Sequence, residues 1–159
     1  ATVALAIPLY THFRRVRAML VPIIVGLVAG SLTAAFSALL VARLMGASVA
    51  TQLSLAPKSV TTPIAMGIAE RIGGLPSLTA VLVITTGILG AVTGRALFNA
   101  LGVHDPAIRG FATGVTAHGI GTARAFQESE QAGAFSALAM GMNGLLTAVL
   151  LPVLLPLLQ

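Results

Sequence analysis

Residues 18–41 read AMLVPIIVGLVAGSLTAAFSALLV and contain no charged side chain. A bilayer hydrocarbon core about 30 Å thick is crossed by roughly 20 apolar residues of helix, and this run alone meets that requirement. Leu75 to Gly94 is likewise uncharged before Arg95, and Ala132 to Leu158 is uncharged throughout. These runs predict membrane spans near 18–44, 75–102 and 131–158. The whole chain agrees with them: 57% of its residues are hydrophobic, 8% are charged and the mean hydropathy is +0.99, against about 25% charged residues in an average soluble domain. Too few charges remain to build a water-facing surface, so the expectation is an all-α membrane protein. It would be a multi-span transmembrane helical bundle, with residues 1–159 in a single transmembrane domain.

The charges that exist are informative. Nine Lys/Arg stand against four Asp/Glu, a net charge of +5, yet the basic residues are scattered singly or grouped in one short loop. Nucleic-acid binding needs a clustered basic face, ideally with stacking aromatics, and this chain has no Trp and one Tyr. The excess reads instead as a topology signal: Arg14, Arg15 and Arg17 place the loop that holds them in the cytoplasm by the positive-inside rule. Cysteine is absent, which removes disulfides, thiolate metal sites and thiol nucleophiles. No carboxylate pair lies within a span, His12, His104 and His118 are far apart, and no zinc-protease or phosphate-loop motif occurs. No enzyme, metal or cofactor is expected.

Two further segments, Ser48 to Gly74 and Pro106 to Gln127, are apolar on average but interrupted at Pro57-Lys58-Ser59 and at His118-Gly119-Ile120-Gly121. They predict discontinuous helices or re-entrant hairpins, with breaks at Pro57–Thr62 and His118–Gly121. If 48–74 is a re-entrant hairpin, the connection bearing Glu128 and Glu130 lies outside and the two halves are inverted; if 48–74 spans, that connection returns inside. The hairpin is preferred, because two short helices around a proline suit it. A weak repeat supports duplication: Thr2-Val3-Ala4 followed by Gly30-Ser31-Leu32-Thr33-Ala34 parallels Thr122-Ala123-Arg124 followed by Gly144-Leu145-Leu146-Thr147-Ala148, and repeats with broken helices mark many secondary transporters. Glycine pairs at four-residue spacing, such as Gly110 and Gly114, suit close helix packing in lipid.

The first break carries one cation and three hydroxyls: Lys58, Ser59, Thr61 and Thr62. Pro63 suits a first helical turn, with Thr61 or Thr62 as N-cap. A helix N-terminus inside the membrane offers free N–H groups and a positive dipole end, which attract a carboxylate. The alternative is that Lys58 snorkels to the headgroups while the threonines only cap. At the second break, Gly119 and Gly121 free the backbone, and Thr122 and Arg124 follow. On a continuous helix Gly110, Gly114, His118 and Thr122 share one face, which would aim the imidazole along a small-residue groove over a cavity. There it can meet a substrate carboxylate or take a proton; alternatively it bonds a neighbouring carbonyl, and Arg124 marks the membrane interface.

At Ala1-Thr-Val-Ala-Leu-Ala-Ile-Pro-Leu-Tyr10, Ala56-Pro-Lys-Ser-Val-Thr-Thr-Pro-Ile-Ala65, His118-Gly-Ile-Gly-Thr-Ala-Arg-Ala125 and Ala134 to Met140, the sequence resembles the LrgB/CidB family of bacterial membrane proteins, whose plant relatives are the plastidial glycolate/glycerate translocators. The resemblance begins partway through the family domain, so the family's first helices are expected before Ala1. It implies a bacterial cytoplasmic (inner) membrane protein with one of two functions. One is carriage of small monocarboxylates (pyruvate, glycolate, glycerate), favoured by the two broken, hydroxyl-rich, cation-bearing segments and expected to work by alternating access with a coupled proton or sodium. The other is holin- or antiholin-like modulation of murein hydrolase activity and lysis. It also implies an LrgA/CidA-like membrane partner, self-association, and substrate contacts at Thr2, Lys58, Ser59, Thr61, Thr62, His118, Gly119, Gly121, Thr122 and Arg124.

Overall fold

The computed structural model describes residues 6–154. In chain order its helices are α1 (Ala6–Thr11), α2 (Phe13–Ala18), α3 (Leu20–Leu44), α4 (Val49–Leu55), α5 (Thr62–Ile72), α6 (Pro76–Ala100), α7 (Pro106–Glu128) and α8 (Glu130–Leu154). Three of them, α3, α6 and α8, have 25 residues each and are long and apolar enough to cross a membrane. At 1.5 Å per residue each is about 37 Å long, more than the hydrocarbon core requires. They fall where the charge-free runs put them. The first starts at Leu20, after a break at Met19, and the last is described to Leu154.

The interrupted segments do not cross. In α7, His118 has φ 40° and ψ −133°, and the chain reverses there. A Cβ on Gly121 would lie 2.8 Å from Cγ2 and 3.3 Å from the carbonyl oxygen of Thr113, whereas eight residues along a straight helix span about 12 Å. Farther out, Arg109 and Arg124 face one cavity together with Pro106 and Glu128. Residues 106–117 therefore enter the bundle and 119–128 leave by the same face. The earlier segment makes a second hairpin. Beyond the α5 C-terminus the Leu75 amide donates to Ser54 Oγ (2.7 Å) and Thr79 Oγ1 donates to the Ser54 carbonyl (3.0 Å), while Lys58 Nζ, between α4 and α5, reaches the Ala34 carbonyl midway along α3 (3.3 Å).

The hairpins enter from opposite faces. α3 and α8 run the same way: Gly26 and Gly30 of α3 meet Phe111 and Val115, and Gly110 and Gly114 of α7 meet the Ala132 and Ser136 carbonyls of α8. α6 runs against them, with Gly90 on Ala117 and Arg95 beside Arg124. The α4/α5 hairpin with α6 is thus an inverted counterpart of the α7 hairpin with α8. The sequence match at Gly30 and Gly144, by contrast, relates two parallel spans.

This topology corrects the expected orientation. Because 106–128 is also re-entrant, the connection with Glu128 and Glu130 returns to the face of Arg14, Arg15 and Arg17, which lie on the short helix α2 and not in the loop expected from the sequence. Thr11 donates to Glu130 there (3.4 Å), and Arg15 is paired with Asp105 at the start of α7. That face also holds Arg95, Arg109 and Arg124, leaving Arg43 and Arg71 at the other, so the basic bias extends across the whole chain.

Each hairpin is seated among spans. The first packs Leu53, Val60, Ala65 and Ile68 against Ala35, Val83 and Leu151. The second sets Ala107 with Ile23 and Phe135, and Val115 with Leu27 and Ala139. Val25, Leu40, Ile88, Val92, Leu145 and Val149 remain exposed on the three spans, as lipid-facing residues do.

Candidate functional site

The hairpin tips meet at Asn143, which is 1% exposed and halfway along α8. Its Nδ2 donates to the Ser59 carbonyl (3.1 Å) in the first hairpin and to the Val115 carbonyl (3.0 Å) in the second. Its Oδ1 accepts from Ser31 Oγ of α3 and from Thr147 Oγ1 (3.4 Å). Two donors and two acceptor positions are all that a carboxamide has, so this side chain is fully used in tying both hairpins and two spans together. The sequence reading overlooked it. The available signal was a lone amide inside an otherwise apolar run, since polar groups within spans are costly unless they bond something.

Around this node the expected residues separate into groups. Lys58 is half-buried, and Nζ donates to the Ala34 carbonyl and to Ser59 Oγ, both at 3.3 Å; its partners are neutral oxygens, with no carboxylate among them. Thr61 is the backbone N-cap of α5 and Pro63 lies in the first turn, but the Thr61 side chain makes no capping bond. Its hydroxyl and that of Thr62 sit on partly exposed residues at the same tip. Thr2 lies outside the described residues.

His118 is 3% exposed, and its Nε2 lies 2.9 Å from the Val83 carbonyl of α6. A carbonyl only accepts, so Nε2 carries the hydrogen. The ring fits because Gly87 has no side chain: a Cβ there would lie 2.7 Å from His118 Cε1. The continuous-helix expectation fails here. The reversal turns the imidazole toward α6, while Gly110 and Gly114 face α8, and the ring is bonded to a carbonyl rather than poised over a cavity. The break falls on His118, the first residue of the expected His118–Gly121 interval. Gly119 is exposed at the tip, and Gly121 permits the close approach of the two limbs. Thr122 is buried, donating to the His118 carbonyl (2.8 Å) and pairing with Ser136 Oγ of α8 (2.9 Å).

Arg124 belongs elsewhere. It is exposed, donates to Gln127 Oε1 (2.8 Å) and lines a cavity of about 350 Å³ at the arginine-rich face. The structure therefore brings Lys58 and Ser59 to the hairpin junction, sets His118 against α6 at the other tip, and leaves Arg124 at the arginine-rich face, away from both.

Two opposed re-entrant hairpins held by a polar node among three apolar spans define an all-α integral membrane protein. The chain belongs to the LrgB-like family, whose model matches residues 1–157. It is 41% identical over 155 residues to the protein YwbG of Bacillus subtilis, covering 98% of this chain and 69% of that one. It is 33% identical over 150 residues to a Haemophilus influenzae protein (94% and 65%). It is 31% identical over 156 residues to the antiholin-like protein LrgB of Bacillus cereus (98% and 68%). The chain thus spans about two thirds of the length of these relatives. No solved structure matches it.

Proposed function

We propose that this chain is the hairpin-bearing part of a transporter for small monocarboxylates of the pyruvate, glycolate and glycerate class, working by alternating access in the bacterial cytoplasmic membrane with a coupled proton or sodium. The observation that carries the reading is Lys58: a cation at membrane depth whose hydrogen-bond partners are all neutral. An uncompensated charge there is costly and functional by default, and a carboxylate is the small solute that would offset it. Opposed hairpins supply the rest, since transporters with inverted repeats bind near the midplane at discontinuous helices whose N-termini face anionic groups. Ser59, Thr61 and Thr62 offer further donors, and Thr2 completes the proposed set. Uptake of labelled pyruvate and glycolate into proteoliposomes holding the full-length protein tests the proposal: saturable uptake supports it, and its absence under every ion gradient contradicts it.

A second reading rests on a specific observation, the name antiholin-like protein LrgB borne by the Bacillus cereus relative. In that reading the chain modulates murein hydrolase activity and lysis, with an LrgA/CidA-like partner or through self-association. It needs the packed helices but no midplane cation. Lysis altered equally by wild type and by Lys58→Ala, with no uptake by either, would favour it.

A further inference from the structure

At the arginine-rich face, a cavity of about 350 Å³ is lined by Arg95 of α6, Arg109 of the entering limb of α7 and Arg124 of the leaving limb, together with His104, Gln127 and Glu128. The three guanidinium groups come from three separate helical segments and outnumber the single carboxylate of the lining. The acids next to lining residues are already engaged: Asp105 pairs with Arg15 and caps the Ala107 amide (2.8 Å), and Glu130 accepts from Thr11 (3.4 Å).

Two of the guanidiniums are held in place. Arg109 Nε donates to the Val103 carbonyl (2.6 Å), another of its nitrogens donates to Asn99 Oδ1, and its guanidinium lies 5.9 Å from the centroid of the Phe98 ring. Arg124 is oriented by Gln127. Arg95 makes no hydrogen bond among the described residues. Two oriented guanidiniums and a third, exposed one leave donor capacity unfilled, and forked donors match the oxygens of a phosphate group. Its depth fits too: Arg95 lies little more than a turn from the end of a 25-residue span, the level of the headgroups, where basic pockets between helices recognise anionic lipids.

We infer that the cavity binds a phosphate group, carried by the headgroup of an anionic phospholipid, and that this phosphate clamps the two limbs of the α7 hairpin to α6. The site is separate from the hairpin junction and does not depend on what the protein transports.

The test uses the full-length protein, purified and reconstituted in nanodiscs of phosphatidylcholine with graded phosphatidylglycerol, and reads thermal stability and retained lipid by native mass spectrometry. The wild type should be stabilised by phosphatidylglycerol and retain it. Arg95→Gln with Arg124→Gln should weaken that apparent affinity by about tenfold or more, the scale of losing charge-assisted bonds. Arg43→Gln, at the other face, should leave it unchanged. Arg95→Lys with Arg124→Lys keeps the charge without the fork and should lose part of the affinity, which keeps the inference testable if the glutamine pair does not fold. Inorganic phosphate, tested alone in phosphatidylcholine discs, distinguishes the source. A response to phosphate that the arginine variants abolish supports the site with a soluble ligand. Equal responses of wild type and arginine variants to both probes overturn it.

Discussion

The side-chain amide of Asn143 donates to the main-chain carbonyl of Ser59, 84 positions earlier in the sequence, and so fixes the tip of one hairpin to a span that packs against the other. The second donor of the same amide, to Val115, makes one residue the joint of both re-entrant elements.

Asn143→Leu should therefore destabilise the bundle more than its volume change implies, because two carbonyls lose their partner. A buried unsatisfied group costs about 1–3 kcal/mol, with hydrogen bonds within membranes averaging nearer 0.6, so a loss of about 1–4 kcal/mol is expected. Reversible unfolding in detergent checks it, with Leu145→Ala on the exposed side of α8 as the neutral comparison.

Gly114 lies against the Ser136 carbonyl and Ala139 of α8, closely enough that any side chain would meet backbone. Gly114→Val should disrupt the α7–α8 packing, whereas Gly141→Ala, where a Cβ meets nothing within 4 Å, should be tolerated. Protease resistance of the two variants in membranes gives the comparison.

Much of this architecture is legible in the sequence because lipid imposes a simple rule: uncharged runs of sufficient length become spans, and 18–41, 75–94 and 132–158 are such runs. The break at Pro57-Lys58-Ser59 is legible because proline and a charge oppose a continuous membrane helix. The break at His118 is legible too, from the glycines that follow it, but that the chain folds back there and does not continue across is not. A segment of 23 residues has the same composition whether it crosses or folds back, and the deciding contact, Thr113 with Gly121, is tertiary. A trace of the inverted repeat is present, since a shift of 60 residues sets Lys58 on His118, Thr62 on Thr122, Ala65 on Ala125, Glu70 on Glu130 and Gly73 on Gly133. Four of those five pairs are identities, few against a small-residue background, and the parallel match at Gly30 and Gly144 points to a different pair of elements.

Topology follows directly from the two reversals, and a chain without cysteine is a ready background for measuring it. Single cysteines at Arg14, Ser129 and Gly102 should all be labelled by a membrane-impermeant maleimide from one side, and cysteines at Gly46 and Gly73 from the other. Labelling of Ser129 from the side of Gly46 would mean that 106–128 spans.

His118 holds a positive φ of 40° without being glycine, a conformation costing about 1–3 kcal/mol that persists where its surroundings impose it. His118→Gly should preserve the hairpin while losing the bond to Val83, and His118→Val, β-branched at positive φ, should be markedly less stable. Comparing their unfolding midpoints separates the turn from the imidazole.

The most direct test concerns Lys58 as the countercharge of a transported carboxylate. Binding and uptake of labelled pyruvate and glycolate should be measured in proteoliposomes for the full-length wild type, Lys58→Ala and Lys58→Arg. Removing one partner of a buried charge pair costs about 2–5 kcal/mol, so Lys58→Ala should bind at least about tenfold more weakly, and Lys58→Arg should recover only part of that loss because its planar fork replaces a compact ammonium. Wild-type affinity and uptake in Lys58→Ala would contradict the account.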